Sequence, residues 1–334
     1  MPDTSPPHQT FLPPSQGTPA LKNHHLWALF AALAVACLVF MLWGGAWRSS
    51  YILELRAIKL GGLLCVGASV GVATVLFQTL TNNRILTPTI MGFDALFLLM
   101  KTVLVFVSGM LVLPNMTNTA TFLFDTALMI AATLLIFTAV LKRAQQDIQL
   151  LVLVGVIFGL LFRTVSGFLQ RLLDPSEFAI VQSNMFAQFG GIDRESLLIA
   201  SLVTAAIFVW IARRHLILDV LALGRDTARS LGVSYDGLQL QLLAAIAALV
   251  SVSTALVGPL AFLGLLVTAL THTLLRSHRH GLLLPAASLI AGLILVVGQT
   301  VFERVLNLNS SLAVVIEFSG GLLFLVLLAR GKIT

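Results

Sequence analysis

Charged side chains are scarce in this sequence. Asp, Glu, Lys and Arg together make up 10% of its 334 residues, whereas soluble domains carry about 25%. Hydrophobic residues make up 58%, and the mean hydropathy is +0.98. So few charges cannot cover a water-facing surface, and long apolar runs are typical of membrane helices. The composition therefore excludes an ordinary soluble protein and predicts an all-α polytopic membrane protein.

Catalytic and metal-binding motifs are also missing. The chain has no GxxxxGK[ST] or HExxH sequence, so we predict no catalytic residue and no nucleotide hydrolysis by a P-loop. Its two cysteines, Cys37 and Cys65, lie inside apolar runs and predict buried thiols. His272, His278 and His280 surround a basic segment without nearby cysteines or carboxylates, which favours a structural role and no metal site.

The few charges that are present have a basic excess, with a formal net charge of +6 and a pI near 9.9. In a soluble protein this balance would suggest nucleic acid. Here the cations sit mostly at the ends of apolar runs and are not interleaved with aromatic residues, so the lipid bilayer is the expected partner and nucleic acid is not.

Residues 1–25 hold six of the eleven prolines and no long apolar run, which predicts a disordered tail. No basic start directly precedes an apolar core, so the first span is expected to be uncleaved. Residues 26–334 are then one transmembrane domain of about ten helices. The predicted spans are 26–46, 56–79, 93–113, 121–141, 148–170, 196–213, 236–257, 259–275, 282–301 and 311–330.

Two of these spans are separated by a single dipeptide. Residues 237–275 contain no Asp, Glu, Lys or Arg for 39 residues, which is too long for one crossing. Gly258-Pro259 supplies the break.

An even number of spans places both termini on one side. If that side is cytoplasmic, it carries twelve Lys and Arg residues against six on the opposite side, which agrees with the positive-inside rule. We therefore expect cytoplasmic termini and a cytoplasmic loop at residues 216–233.

This loop is short and patterned. Its two pieces, Leu218–Leu223 and Arg225–Leu231, are each followed by a glycine, Gly224 or Gly232, which predicts two brief helices with a corner between them. In the second piece Arg225 and Arg229 share a face, and Ala228 and Leu231 can form an apolar contact surface. A solvated loop with one amphipathic turn is the alternative.

Arg163, Glu317 and Lys101 are three candidate ionisable residues at membrane depth, where charge is costly and often functional. Arg163 shares a helical face with Ser166 and Gln170 and is a candidate to receive an anionic ligand, although an internal ion pair or a snorkelling side chain would also explain it. Glu317, followed by small residues, is expected to pair with a basic residue; lining a polar pathway or lying near the outer interface are the alternatives. Lys101 is expected to be a snorkelling anchor near the cytoplasmic end.

Charges near the outer span ends offer a surface to a docking protein. Glu54, Arg56, Glu303 and Arg304 lie there, although exposed helix-end charges are the simpler interpretation.

Four segments together resemble the permease subunits of bacterial ABC importers for iron-siderophores, haem and vitamin B12 (FecCD-type). They are FQTLTNN at 77–83 with LTP at 86–88 and MG at 91–92, LALGRDTARSLGV at 221–233, GPLAFLGL at 258–265, and LPA at 284–286. In this order and spacing, they are a specific signature for the family, and the resemblance covers nearly the whole chain after the tail.

The resemblance implies a vitamin B12 importer permease-like fold of ten helices in the bacterial inner membrane. It implies these partners: a cytoplasmic ABC ATPase dimer, a second permease subunit that is the same chain or a paralogue, a periplasmic or lipoprotein substrate-binding protein, and a ferric siderophore. The chain itself would bind no cofactor, since the partner ATPase uses ATP and Mg. The resemblance places the ATPase contact at these residues of the loop: Leu221, Leu223, Gly224, Arg225, Ala228, Arg229, Leu231 and Gly232.

Two departures from the family pattern refine this expectation. VTALTH at 267–272 lacks the usual Pro-His pair, and SSLAVVIEFSGG at 310–321 introduces Glu317. With TPTIMGFDALF at 87–97 and FRTVSGFLQR at 162–171, they resemble the ferric catecholate branch. The substrate-pathway candidates are Arg163, Ser166, Gln170 and Glu317. Permeases for haem or vitamin B12, and a secondary transporter that uses Glu317 and Lys101 to couple to an ion gradient, remain alternatives.

Overall fold

The computed structural model describes residues 19–43, 49–110, 117–143, 148–305 and 312–329. Within these ranges the regular elements are helices, and a 3-10 turn at Pro88–Met91 precedes the third α-helix. The thirteen α-helices are α1 (Pro19–Leu42), α2 (Ser50–Thr81), α3 (Phe93–Met110), α4 (Asn118–Arg143), α5 (Ile148–Gln170), α6 (Pro175–Ser183), α7 (Arg194–Ala212), α8 (His215–Leu221), α9 (Arg225–Ser230), α10 (Tyr235–Val257), α11 (Leu263–Leu275), α12 (His280–Arg304) and α13 (Leu312–Ala329).

Ten of these helices coincide with the ten predicted spans. In the described part of the chain, seven helices are long and apolar enough to cross a membrane, and Leu263–Leu275 and Leu312–Leu322 are shorter apolar segments. The break between α10 and α11 falls at Gly258 and Pro259, as predicted. The all-helical polytopic fold is therefore confirmed.

The first helix starts earlier than expected. α1 begins at Pro19, inside the predicted disordered tail of residues 1–25, because proline is tolerated at the first helical position and Ala20 continues the helix. The rest of that tail, residues 1–18, lies outside the described residues, as do residues 330–334 at the end of the last predicted span.

α2 forms the centre of the bundle. It packs most extensively against α10 and α12. In its most apolar 18-residue stretch, 78% of the residues are buried, compared with 6% in that of α1. Gly67 and Gly71 allow this packing, since a Cβ on Gly71 would lie 2.9 Å from the carbonyl oxygen of Ala287 in α12. α1 therefore lies at the periphery of the bundle, whereas α2 contacts both α10 and α12.

Three short helices lie outside the predicted spans. α8 and α9 correspond to the two pieces predicted around Gly224, although α8 starts three residues earlier than expected. α6 was missed, yet its start has a sequence signal: the Glu177 side chain accepts from the Asp174 backbone N–H at 3.3 Å, and Pro175 occupies the first helical position.

Candidate functional site

The loop between α7 and α10 is a rigid corner at one end of the bundle. Gly224 (φ +95°) separates α8 from α9, and Gly232 (φ +84°) separates α9 from α10. Only glycine adopts such φ values without strain, so Gly224 sets where α9 begins and Gly232 sets where the chain turns after it. We call residues 215–232 the corner loop.

The corner loop is fastened to the bundle by buried apolar side chains. Leu218 and Leu221 of α8 are 1% and 2% exposed, and Ala228 of α9 is fully buried. Leu223 and Leu231, in contrast, are 59% and 61% exposed. The expected joint apolar surface of Ala228 and Leu231 is therefore wrong, because the packing around α9 covers Ala228 and leaves Leu231, the residue after the helix, exposed.

Both arginines of α9 pair with one carboxylate. Arg225 Nη2 lies 3.3 Å from Asp236 Oδ1, and Arg229 Nη2 lies 2.6 Å from Asp236 Oδ2. Asp236 is in the first turn of α10, where a negative charge is favourable. Partly exposed pairs like these add little to stability, but they orient α9 against α10. No pattern in the sequence identifies Asp236 as their partner.

The eight predicted contact residues thus divide into three groups. Leu221 and Ala228 hold the loop in place, and Leu223, Arg229, Leu231 and Gly232 are exposed at its surface. Gly224 and Arg225 are half-buried at the corner. This surface of small, apolar and cationic groups on a rigid backbone can receive another protein.

His280 is the most buried of the three histidines singled out from the sequence, with 2% exposure, and it contacts Asp219 of α8 and Thr79 of α2. Among the described residues there is no group of three or more potential ligands that could hold a metal ion.

The predicted pathway residues on α5 differ in exposure. Arg163 is exposed, whereas Ser166 is fully buried and the Gln170 amide donates to the Thr102 hydroxyl of α3 at 3.2 Å. The three residues are therefore not equally available to a ligand, because Ser166 is enclosed and Gln170 is engaged with α3. Of these three residues, Arg163 is the one left accessible to a ligand.

Asp94 adds a carboxylate that the sequence analysis overlooked. It lies in the first turn of α3, where it is attracted by the charge of Arg163 and repelled by that of Glu317. Among the described residues, no hydrogen bond reaches its buried Oδ1. Glu317 is half-buried, and none of the described salt bridges includes it. Asp94 and Glu317 thus lie within electrostatic range of each other, and the expected pairing of Glu317 with a basic residue is not seen.

Lys101 is not a snorkelling anchor. It forms an ion pair with Asp125 of α4, and the two side chains are 13% and 2% exposed. A buried ammonium without an opposite charge is energetically costly, so Lys101 pairs with a carboxylate of the neighbouring helix and does not extend to the bilayer surface.

Charges at the opposite end of the bundle are also engaged within the chain. Arg56 donates to the carbonyl oxygens of Met41 and Trp43 at 2.9 and 2.8 Å, which satisfies the end of α1, and Lys59 pairs with Glu303. Glu54 and Arg194 form an exposed pair at 3.5 Å. Arg56 and Glu303 are therefore already engaged in contacts within the chain, at the end where a docking protein would bind.

The fold and the corner loop define a many-helix membrane protein with a structured contact surface at one end. The fold is shared with a solved metal-chelate type ABC transporter in an inward-facing conformation, at a TM-score of 0.78, 20% identity, and coverage of 92% of this chain and 99% of that one.

Sequence comparison identifies the family. The FecCD transport family matches residues 15–330, and the chain belongs to it. The chain is similar to the petrobactin import system permease protein YclO of Bacillus subtilis (38% identity, 93% of this chain and 98% of that protein). It is also similar to the petrobactin import system permease protein FatC of Bacillus anthracis (32% identity, 84% of this chain and 79% of that protein).

Proposed function

We propose that the chain is the permease subunit of an ABC importer that moves a ferric siderophore inward across the bacterial inner membrane. The corner loop is the observation that carries this proposal: two short helices are separated by Gly224 and anchored by buried apolar side chains, with cationic and apolar groups exposed. A structured corner of this kind can transmit a displacement from a separate ATPase to the bundle, which an unstructured loop could not. The chain is a transport subunit, and ATP and Mg are used by the ATPase dimer.

The substrate class follows from the relatives and from Arg163. Two relatives above 30% identity are named as petrobactin import permeases, so ferric petrobactin is the first substrate to test. Arg163, exposed on α5, would attract the negative charge of a ferric catecholate complex in a poorly screened site. A second permease subunit would complete the pathway, and a binding protein would deliver the substrate from outside.

Reconstitution into proteoliposomes tests the function. We expect uptake of ferric petrobactin with the ATPase, ATP and binding protein present, and none when the ATPase or ATP is omitted. Ferric catecholates, haem and vitamin B12 in the same assay distinguish the substrate classes. Transport by the purified chain alone under a proton or sodium gradient would instead make it an ion-coupled secondary transporter and overturn the proposal.

A further inference from the structure

A set of hydrogen bonds connects the corner loop to the two most central helices. Asp219 lies on α8, and its Oδ1 accepts from the backbone N–H of His280 at 2.7 Å and lies 2.7 Å from the ring nitrogen Nδ1. His280 is the first residue of α12. Its other ring nitrogen, Nε2, lies 2.7 Å from the Thr79 hydroxyl near the end of α2. We call Asp219, His280 and Thr79 the joint.

Asp219 caps α12 from another helix. The first N–H groups of a helix have no partner within it, and Arg279, the residue before α12, provides no side-chain cap. The Asp219 carboxylate supplies the missing acceptor and places negative charge at the positive end of the helix dipole. The start of α12 is therefore held by α8.

His280 extends this connection to α2. The ring is 2% exposed and both of its nitrogens are within hydrogen-bond distance of a partner, so breaking either contact would leave a polar atom buried. The Thr79 hydroxyl oxygen in turn lies 2.8 Å from the carbonyl oxygen of Val75 in the same helix. The joint thus binds α8, α12 and α2 through directional contacts, whereas Leu218 and Leu221 hold α8 only by non-directional packing.

Space for movement lies beside the joint. A cavity of about 520 Å³ is lined by Asp219, Thr79 and His280 together with Asn82, Arg84 and Arg279. A displacement of α8 can be accommodated there while the Asp219–His280 and His280–Thr79 contacts persist.

We propose that the joint carries movement of the corner loop to α12 and α2, with Asp219, His280 and Thr79 as positioning residues that set how much substrate moves per ATP hydrolysed. The proposal rests on the proposed function, in which an ATPase docks on the corner loop. The joint does not touch the ATPase in this scheme, so its loss should weaken coupling without weakening docking.

The test is the ratio of substrate transported to ATP hydrolysed in the reconstituted complex. Thr79→Val keeps the side-chain volume and removes the hydroxyl, and Asp219→Ala removes the cap. We expect each to lower the ratio about tenfold, the size of one lost hydrogen bond to a charged or buried group, while the ATPase still co-purifies and hydrolyses ATP. The double variant should be no worse than the worse single variant, since both break one chain of contacts.

Two controls are matched to Thr79→Val. Thr79→Ser retains the hydroxyl, and Thr81→Val removes a hydroxyl from the same end of α2 that bonds only within that helix, to the Phe77 carbonyl at 2.8 Å and the Gln78 carbonyl at 3.5 Å. Both should stay within about twofold of the wild-type ratio.

Any of three results would overturn the proposal for the joint. Thr79→Val could keep the wild-type ratio of substrate transported to ATP hydrolysed, the losses in the double variant could multiply, or Thr81→Val could lose as much as Thr79→Val. Loss of the folded complex in Thr79→Val would also overturn it, because the hydroxyl would then serve stability. Failure of the proposed function is distinct: the unmodified chain would then not capture the ATPase, or would transport without it.

Discussion

Single charged residues inside the bundle are visible in the sequence, but their partners are not. Lys101, Arg163 and Glu317 were found because a charge within an apolar run is conspicuous. Asp125, the partner of Lys101, and Asp94, which is attracted by Arg163, became relevant only when α3, α4 and α5 were placed side by side. Distance along the chain gives no information about which ion pairs form between helices.

The Lys101–Asp125 pair makes a stability prediction. Lys101→Met alone should lower stability by about 3 kcal/mol, because it leaves the Asp125 carboxylate buried without its opposite charge. Combining Lys101→Met with Asp125→Leu should recover most of that loss. Thermal unfolding in detergent measures both variants, and a double variant less stable than the single one would contradict the prediction.

Arg163 makes a transport prediction. Arg163→Ala should reduce uptake of the ferric siderophore about tenfold without reducing the amount of protein in the membrane, since it removes an attraction for the anionic substrate. Arg171→Ala, which removes another exposed cation just after the same helix, is the control and should transport normally. Unchanged uptake in Arg163→Ala would remove Arg163 from the pathway.

At the scale of elements, the corner loop was predicted well because its signals are local. Glycines that follow short apolar-periodic pieces mark helix ends through backbone conformation alone, and both adopt positive φ. The contacts of the loop were not predicted. Leu231 is exposed and Asp236 binds both arginines because the position of α10 decides which faces are covered.

Changing the corner should uncouple ATP hydrolysis from uptake. Gly224→Pro imposes a φ near −65° where the chain needs +95°, and Arg229→Glu reverses an exposed charge. For both we expect ATP hydrolysis to continue with little uptake, measured in proteoliposomes. Asp236→Asn is the control for Arg229→Glu, because it weakens the same ion pair and leaves the exposed cation in place. Normal uptake in both loop variants would refute docking at this loop.

The close approach of α5 to the segment before α3 gives a packing prediction. A Cβ on Gly159 would lie 3.0 Å from the Cα of Gly92, whereas one on Gly167 of the same helix would meet nothing within 4 Å. Gly159→Ala should therefore lower the melting temperature, and Gly167→Ala should leave it unchanged or raise it slightly. Equal melting temperatures for the two variants would show that the backbone relaxes at no cost.

At the scale of the whole molecule, the proposed orientation can be tested by labelling. α6 comes just before α7 and the corner loop just after it, so the two lie at opposite ends of this helix. Ser176 and Ser230, both exposed, should therefore lie on opposite sides of the membrane. After Cys37 and Cys65 are replaced, Ser176→Cys should react with an impermeant maleimide on spheroplasts, and Ser230→Cys only after lysis. The reverse pattern would place the corner loop outside and contradict ATPase docking there.

The sequence by itself determined that the chain is a bundle of about ten membrane helices, where most of them lie, and where the corner loop bends. These properties depend on hydropathy, chain length and backbone preferences, all of which act over short stretches of sequence. Only the tertiary structure decided that α2 is central, that Lys101 is paired, and that Asp219, His280 and Thr79 meet. Such contacts join residues up to 201 positions apart, and they arise from how whole helices pack, which no local pattern encodes.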